Sequence, residues 1–145
     1  MAYKKTSDLL MIPNLVDTKV VNIIFVYKED IEDELDEQIL YSNALKYIQE
    51  NEEYDVICYR NDIWFGITNR CFTCVYVDFN DDDIDVKTAI RFVDNRKWKL
   101  NAGFMKLENV YTKIIITGMK SPESLFKSNK RWNEKIKSFN VVKCY

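Results

Sequence analysis

"VVNIIFVYKEDIEDELDEQILYSNALKYI", residues 20–48, joins an unbroken apolar run to a charged segment of a different period. The run at 20–27 is β-branched and does not alternate, so both of its faces are expected to be covered and it reads as a fully buried strand. In the segment that follows, Ile31, Leu35, Ile39, Leu40, Ala44, Leu45 and Ile48 are assigned to one helical stripe. Asp30 is expected to cap that helix. Glu32, Asp33 and Glu34 fall in its first turn, where the helix dipole favours anions. A buried strand running straight into a helix is the building unit of a parallel sheet.

The same grammar repeats along the chain. "YDVICYR" (54–60) and "FTCVYVDF" (72–79) read as strands, and "DIWFGI" (62–67) as a short one after a turn at "RND". "NDDDIDVKTAIRFVDN" opens with acidic capping residues and predicts about three helical turns carrying Ile84, Val86, Ala89, Ile90 and Val93. "RKWKLNAGFMKLENV" holds Gly103 between apolar alternations and predicts a basic hairpin. "TKIIIT" (112–117) is a further strand. Ser121 is expected to cap a helix with Pro122 at its first position, and Trp132, Ile136 and Phe139 lie at helical spacing. "VVKCY" reads as an edge strand. The expected architecture is one α/β domain at 20–145, with a mainly parallel central sheet and helices on both faces. Residues 1–19, with Pro13 and no clear period, read as an N-terminal arm.

Composition excludes much chemistry. With 145 residues, 47% of them hydrophobic, and only three Gly and two Pro, the chain builds a real core and is not loop-rich. It contains no histidine, which removes Ser-His-Asp and Cys-His machinery and any His-ligated metal. No run approaches the roughly 20 apolar residues that span a bilayer, and the first residues do not resemble a signal peptide. Cys58, Cys71, Cys74 and Cys144 read as reduced thiols of an intracellular protein, of cytoplasm or nucleus. Cys71-Phe72-Thr73-Cys74 keeps a four-thiolate zinc site in view, although Cys74 opens an apolar run. The net charge of −2 hides an asymmetry: residues 1–60 carry 13 acids and 6 bases, residues 91–145 carry 4 acids and 13 bases. Two solvated faces, a head-to-tail contact between copies, or a polyanion facing the last third would each account for it.

In a parallel sheet, ligands bind beyond the carboxyl ends of the strands. The first exit, "KEDIEDELDE", has no glycine and seven carboxylates between Glu29 and Glu37, the opposite of a phosphate loop. The second, "VYVDFNDDD", places Asp78 where a carboxylate holds Mg²⁺ in phosphoryl-transfer enzymes. Asp81, Asp82, Asp83 and Asp85 follow, read either as a solvated helix start or as a hard-cation site. The third exit, after 112–117, offers Thr117 as a weak polar sensor, but Met119 neither donates nor accepts usefully.

The order of these stretches resembles the superfamily 3 helicase (Rep ATPase) domain of replication-initiator proteins from small circular single-stranded DNA viruses. "CVYVDF" followed by "VKTAIRFVDNRKWKLN" is similar to the family's Walker B strand and the helix behind it. "LNAGFMKL" is similar to its hairpin, "KIIITGMKSPESLF" to its sensor strand, and "NEKIKSFNVVK" to its closing basic helix and strand. The strand-helix-strand at 20–60 stands where the phosphate loop and its helix belong. The resemblance implies a P-loop-ATPase-like fold, and the departures from it imply lost chemistry. Val77 replaces the first Walker B acid, leaving Asp78. Asn101 stands for the hairpin lysine and Met119 for the sensor asparagine, and the phosphate loop is missing.

The expected function is therefore that of a non-catalytic binding or scaffold protein on a helicase-like, pseudo-ATPase fold. It would need no cofactor and would work through protein partners or self-association, which the ring assembly of the resembled family permits. The alternative is a single-stranded nucleic-acid-binding module. In it Arg96, Lys97, Lys99 and Lys106 grip phosphates while Trp98 stacks a base. A carboxylate-and-Mg²⁺ nuclease built on Asp78 and Asp81–Asp83 is the enzyme reading.

Overall fold

The computed structural model describes residues 21–94 and 96–145, so the arm read at 1–19 lies outside the described residues. The elements are β1 (Asn22–Lys28), α1 (Glu34–Leu45), β2 (Tyr54–Arg60), β3 (Ile63–Phe65), β4 (Thr73–Phe79), α2 (Val86–Val93), β5 (Lys99–Asn101), β6 (Lys106–Glu108), β7 (Lys113–Gly118), α3 (Lys130–Lys135) and β8 (Asn140–Cys144). Single 3₁₀ turns lie at Pro122–Ser124 and Ile136–Ser138. Six strands form one sheet in the order β3-β2-β4-β7-β1-β8. Every pairing in it is parallel except the β2–β3 hairpin. β5 and β6 form a separate antiparallel hairpin. The expected α/β domain with a mainly parallel sheet is what the chain forms. No helix among the described residues is long and apolar enough to cross a membrane.

The strands without alternation are covered twice, as their composition requires. One face of the sheet carries Phe25, Tyr76, Ile114 and Ile116 under α2, α3 and the hairpin, with Trp132 and Phe92 fully buried. The other carries Ile24, Val26, Val75 and Ile115 under α1, through Leu40 and Ala44. The first face is an aromatic array. Trp132 stacks on Phe79 at 6.1 Å, and Phe139 stacks on Phe25 at 6.2 Å.

Four local expectations are corrected. Asp33, not Asp30, caps α1 by accepting from the Asp36 N–H; Asp30 instead turns the chain at φ 59°. Leu35 is 61% exposed and Ile39 is exposed too, because at about 100° per residue they stand roughly 100–180° round the helix from Leu40 and Ala44, which face the sheet. α2 is eight residues long and shorter than three turns: Ile84 is buried ahead of it and Asp85 is its cap. The Ser121-Pro122 start yields only one 3₁₀ turn, in which the Ser121 side chain makes no capping bond. The turn is held instead by the Trp132 indole N–H, which donates to the Pro122 carbonyl at 2.9 Å. Asn129 caps α3 by accepting from the Trp132 N–H.

Candidate functional site

The carboxyl ends of β1, β4 and β7 meet at one edge, because β7 lies between the other two. Val77, Asp78, Thr117 and Met119, distant in sequence, are thereby brought together. With Ile31, Glu37, Leu40 and Tyr41 from the α1 side they line a cleft of about 240 Å³. A bulge between Tyr76 and Phe79 throws Asp78 into the left-handed region at φ 60°, and its N–H donates to the Thr117 hydroxyl at 3.0 Å. Thr117 is buried and already engaged in that bond. Among the described residues the charged side chains lining the cleft are Glu37 and Asp78, with no lysine or arginine. The nearby bases are already paired: Lys28 with Asp36 at 3.9 Å, Lys143 with Glu29 at 3.1 Å and Lys120 with Asp81 at 3.3 Å. Two carboxylates in a largely apolar lining are an unfavourable setting for a polyphosphate.

The acidic run beyond β4 is spent on local structure. Asn80 accepts from the Asp82 N–H, Asp81 receives Lys120, and Asp85 caps α2 through the Thr88 N–H and hydroxyl at 3.1 and 2.6 Å. Among the described residues no group of three or more acidic or thiol side chains is gathered as a metal site. The Thr88 hydroxyl, outweighing a slight desolvation, holds the Asp85 carboxyl below its ordinary value of 3.8. A carboxylate lowered on folding adds stability above its unfolded pKa and loses it as pH falls through the folded one. Asp85→Asn is therefore expected to cost stability at pH 5 and progressively less toward pH 3. Thermal melts of both proteins across that range check this, and a Tm gap that stays constant would contradict it.

The four cysteines form no disulfide and are dispersed over the fold. Cys74 is buried in the aromatic face. Burial, followed by the hydrogen bond and charge of Asp55, pushes the Cys71 thiol up and away from reactivity. Cys58 on β2 and Cys144 on β8 are four strand spacings apart, roughly 19 Å, so the four thiols do not converge on one ion.

The basic segment forms the expected hairpin, with Gly103 at φ 94° in its turn. Phe104 at the tip is fully exposed. Its five named residues divide. Arg96, Lys97 and Trp98 line a cleft of about 360 Å³ together with Lys87, Ile90, Arg91 and Asp94 from α2 and its end, and Arg131 from α3. Lys99 and Lys106 are not part of that lining; they stand exposed on the hairpin strands. Trp98 is half-buried. Its N–H donates to the Tyr111 hydroxyl at 3.2 Å, its ring meets Trp64 edge-on, and the Arg91 guanidinium lies 5.5 Å above it. Sequence reasoning missed Lys87, Arg91 and Arg131. The first two are an i, i+4 pair on α2, a signal that was open to reading; Arg131 joins only through the packing of α3 on α2. No family model matches this sequence, and no curated protein is similar enough to count as a relative.

Proposed function

We propose that this chain is a non-catalytic binding protein on a helicase-like, P-loop-ATPase-like sheet that has lost nucleotide binding, and that it acts through contacts with other macromolecules, self-association included. The observation that carries this reading is the lining of the carboxyl-edge cleft: Glu37 and Asp78 among largely apolar side chains, with no base among the described residues and no glycine loop after β1 to offer main-chain N–H groups. Adjacency supports the helicase-like comparison. The strands that resemble the Walker B and sensor strands are neighbours, and Asp78 and Thr117 are hydrogen-bonded beside the exit of β1. Phosphoryl transfer needs a phosphate cradle, a held metal and a polar sensor. Here an acidic helix, Val77 and Met119 stand in those places.

About 2 mM ATP–Mg²⁺ is expected to move the melting temperature by less than about 1 °C, since only a ligand that binds the native state stabilises it. A shift of several degrees would overturn the reading. Light scattering after size exclusion, run with and without ATP–Mg²⁺, reads self-association directly. The second reading, a module for single-stranded nucleic acid, is favoured by one observation: the gathering of five bases at the α2–α3 cleft.

A further inference from the structure

We propose that the cleft between α2, α3 and the base of the hairpin is a phosphate-gripping site for single-stranded nucleic acid, with Arg91, Arg96 and Arg131 as the principal contacts and Lys87 and Lys97 beside them. This rests on the nucleic-acid reading for the identity of the ligand; the cleft itself is given by the geometry. Five cations line one concavity of about 360 Å³, and none of the five is in an ion pair among the described residues. The one carboxylate there, Asp94, is bonded to Lys135 at 3.6 Å. Like charges held this close without partners cost energy that an anion recovers.

The wall is also rigid. Buried Asn109 accepts from the Trp98 N–H at 2.9 Å and donates to the Arg96 carbonyl at 3.0 Å, fixing the 96–98 backbone from both ends. Arg91 lies over the Trp98 ring and leaves its guanidinium edge for a ligand. Arginine presents a planar fork that meets phosphate oxygens in pairs. A protein partner would need apolar surface at the centre of its contact, but Ile90 is buried and Trp98 is occupied by Trp64, Tyr111 and Arg91.

The test is fluorescence anisotropy with a labelled short oligothymidylate, comparing wild type, Arg91→Gln with Arg131→Gln, and Lys99→Gln with Lys106→Gln, each checked for folding by circular dichroism. The cleft variant is expected to weaken binding about tenfold and to flatten the log–log salt slope by about 1.4, two contacts at roughly 0.7 each. The hairpin variant is expected to lose less than about threefold. If the hairpin pair carries the loss and the cleft pair does not, the site is wrong while the nucleic-acid reading stands. If wild type binds no oligothymidylate, both fall. If polyglutamate competes as well as oligothymidylate, the ligand assignment is overturned.

Discussion

Trp132→Ala is expected to remove about 5 kcal/mol of folding stability, close to half of what a domain of this size holds. Truncating a buried Trp or Phe to Ala costs about 3–5 kcal/mol through lost transfer energy and the cavity left behind. Trp132 is fully buried, stacked on Phe79 and edge-on to Phe126 and Phe139 at 4.9 and 5.7 Å. Its loss also removes one of two hydrogen bonds to the Pro122 carbonyl, which keeps the Leu125 N–H at 3.3 Å, for about 1 kcal/mol more. Partial collapse of the site offsets some of the sum. At about 2–4 °C per kcal/mol the melting temperature should fall by roughly 10–20 °C. Trp132→Phe keeps most of the ring contact and loses the N–H donor, so it is expected to cost about 2 kcal/mol. Urea denaturation with an unchanged m-value is the measurement. A Trp132→Ala cost below about 2 kcal/mol would mean that α3 is not fastened to the sheet as described.

Gly66→Ala should be nearly as damaging, for a different reason. A Cβ built on Gly66 would lie 2.0 Å from the Val56 carbonyl oxygen, and the residue sits at φ +83°. The obstacle is backbone of β2, so relief requires the β2–β3 hairpin to open. Gly103 is the control: it has the same hand, at φ +94°, but nothing lies within 4 Å of its would-be Cβ. Gly103→Ala therefore carries only the left-handed penalty, about 1–2 kcal/mol. Gly66→Ala adds the collision and is expected to exceed about 3 kcal/mol. Equal costs at the two positions, measured by chemical denaturation, would sink this account. The pair separates a local conformational penalty from a steric one within a single chain.

Strands were legible where apolar residues ran without a break. β1, β4 and β7 came out within two residues of their expected bounds because residues covered on both faces have no polar alternation to blur them; β2, which alternates, and β8, an exposed edge strand, also came out within a residue of theirs. α1 was legible as a helix but not as a face. Five of the seven apolar positions fall within it and spread round it, and only the sheet decides that Leu40 and Ala44 turn inward while Leu35 faces water. Asp30 and Asp33 are chemically equal caps; the left-handed turn at Asp30 selects the second. For the edge cleft, the exits of 20–27, 72–79 and 112–117 were named from sequence, and strand order alone brought them into one place. The basic cleft was half legible. Arg96, Lys97 and Trp98 are contiguous, but no spacing rule links them to Arg131, which arrives through tertiary packing.

The position of β1 has a consequence for how the chain acquires its shape. Both neighbours of β1 come from far downstream, β7 at Lys113–Gly118 and β8 at Asn140–Cys144. A nascent chain growing at roughly 5–20 residues per second thus holds an apolar strand unpaired for several seconds. Non-local pairing of this kind slows refolding and exposes a sticky segment meanwhile. A fragment ending before residue 113 is accordingly expected to aggregate, since among the described residues the first strand lies between the last two.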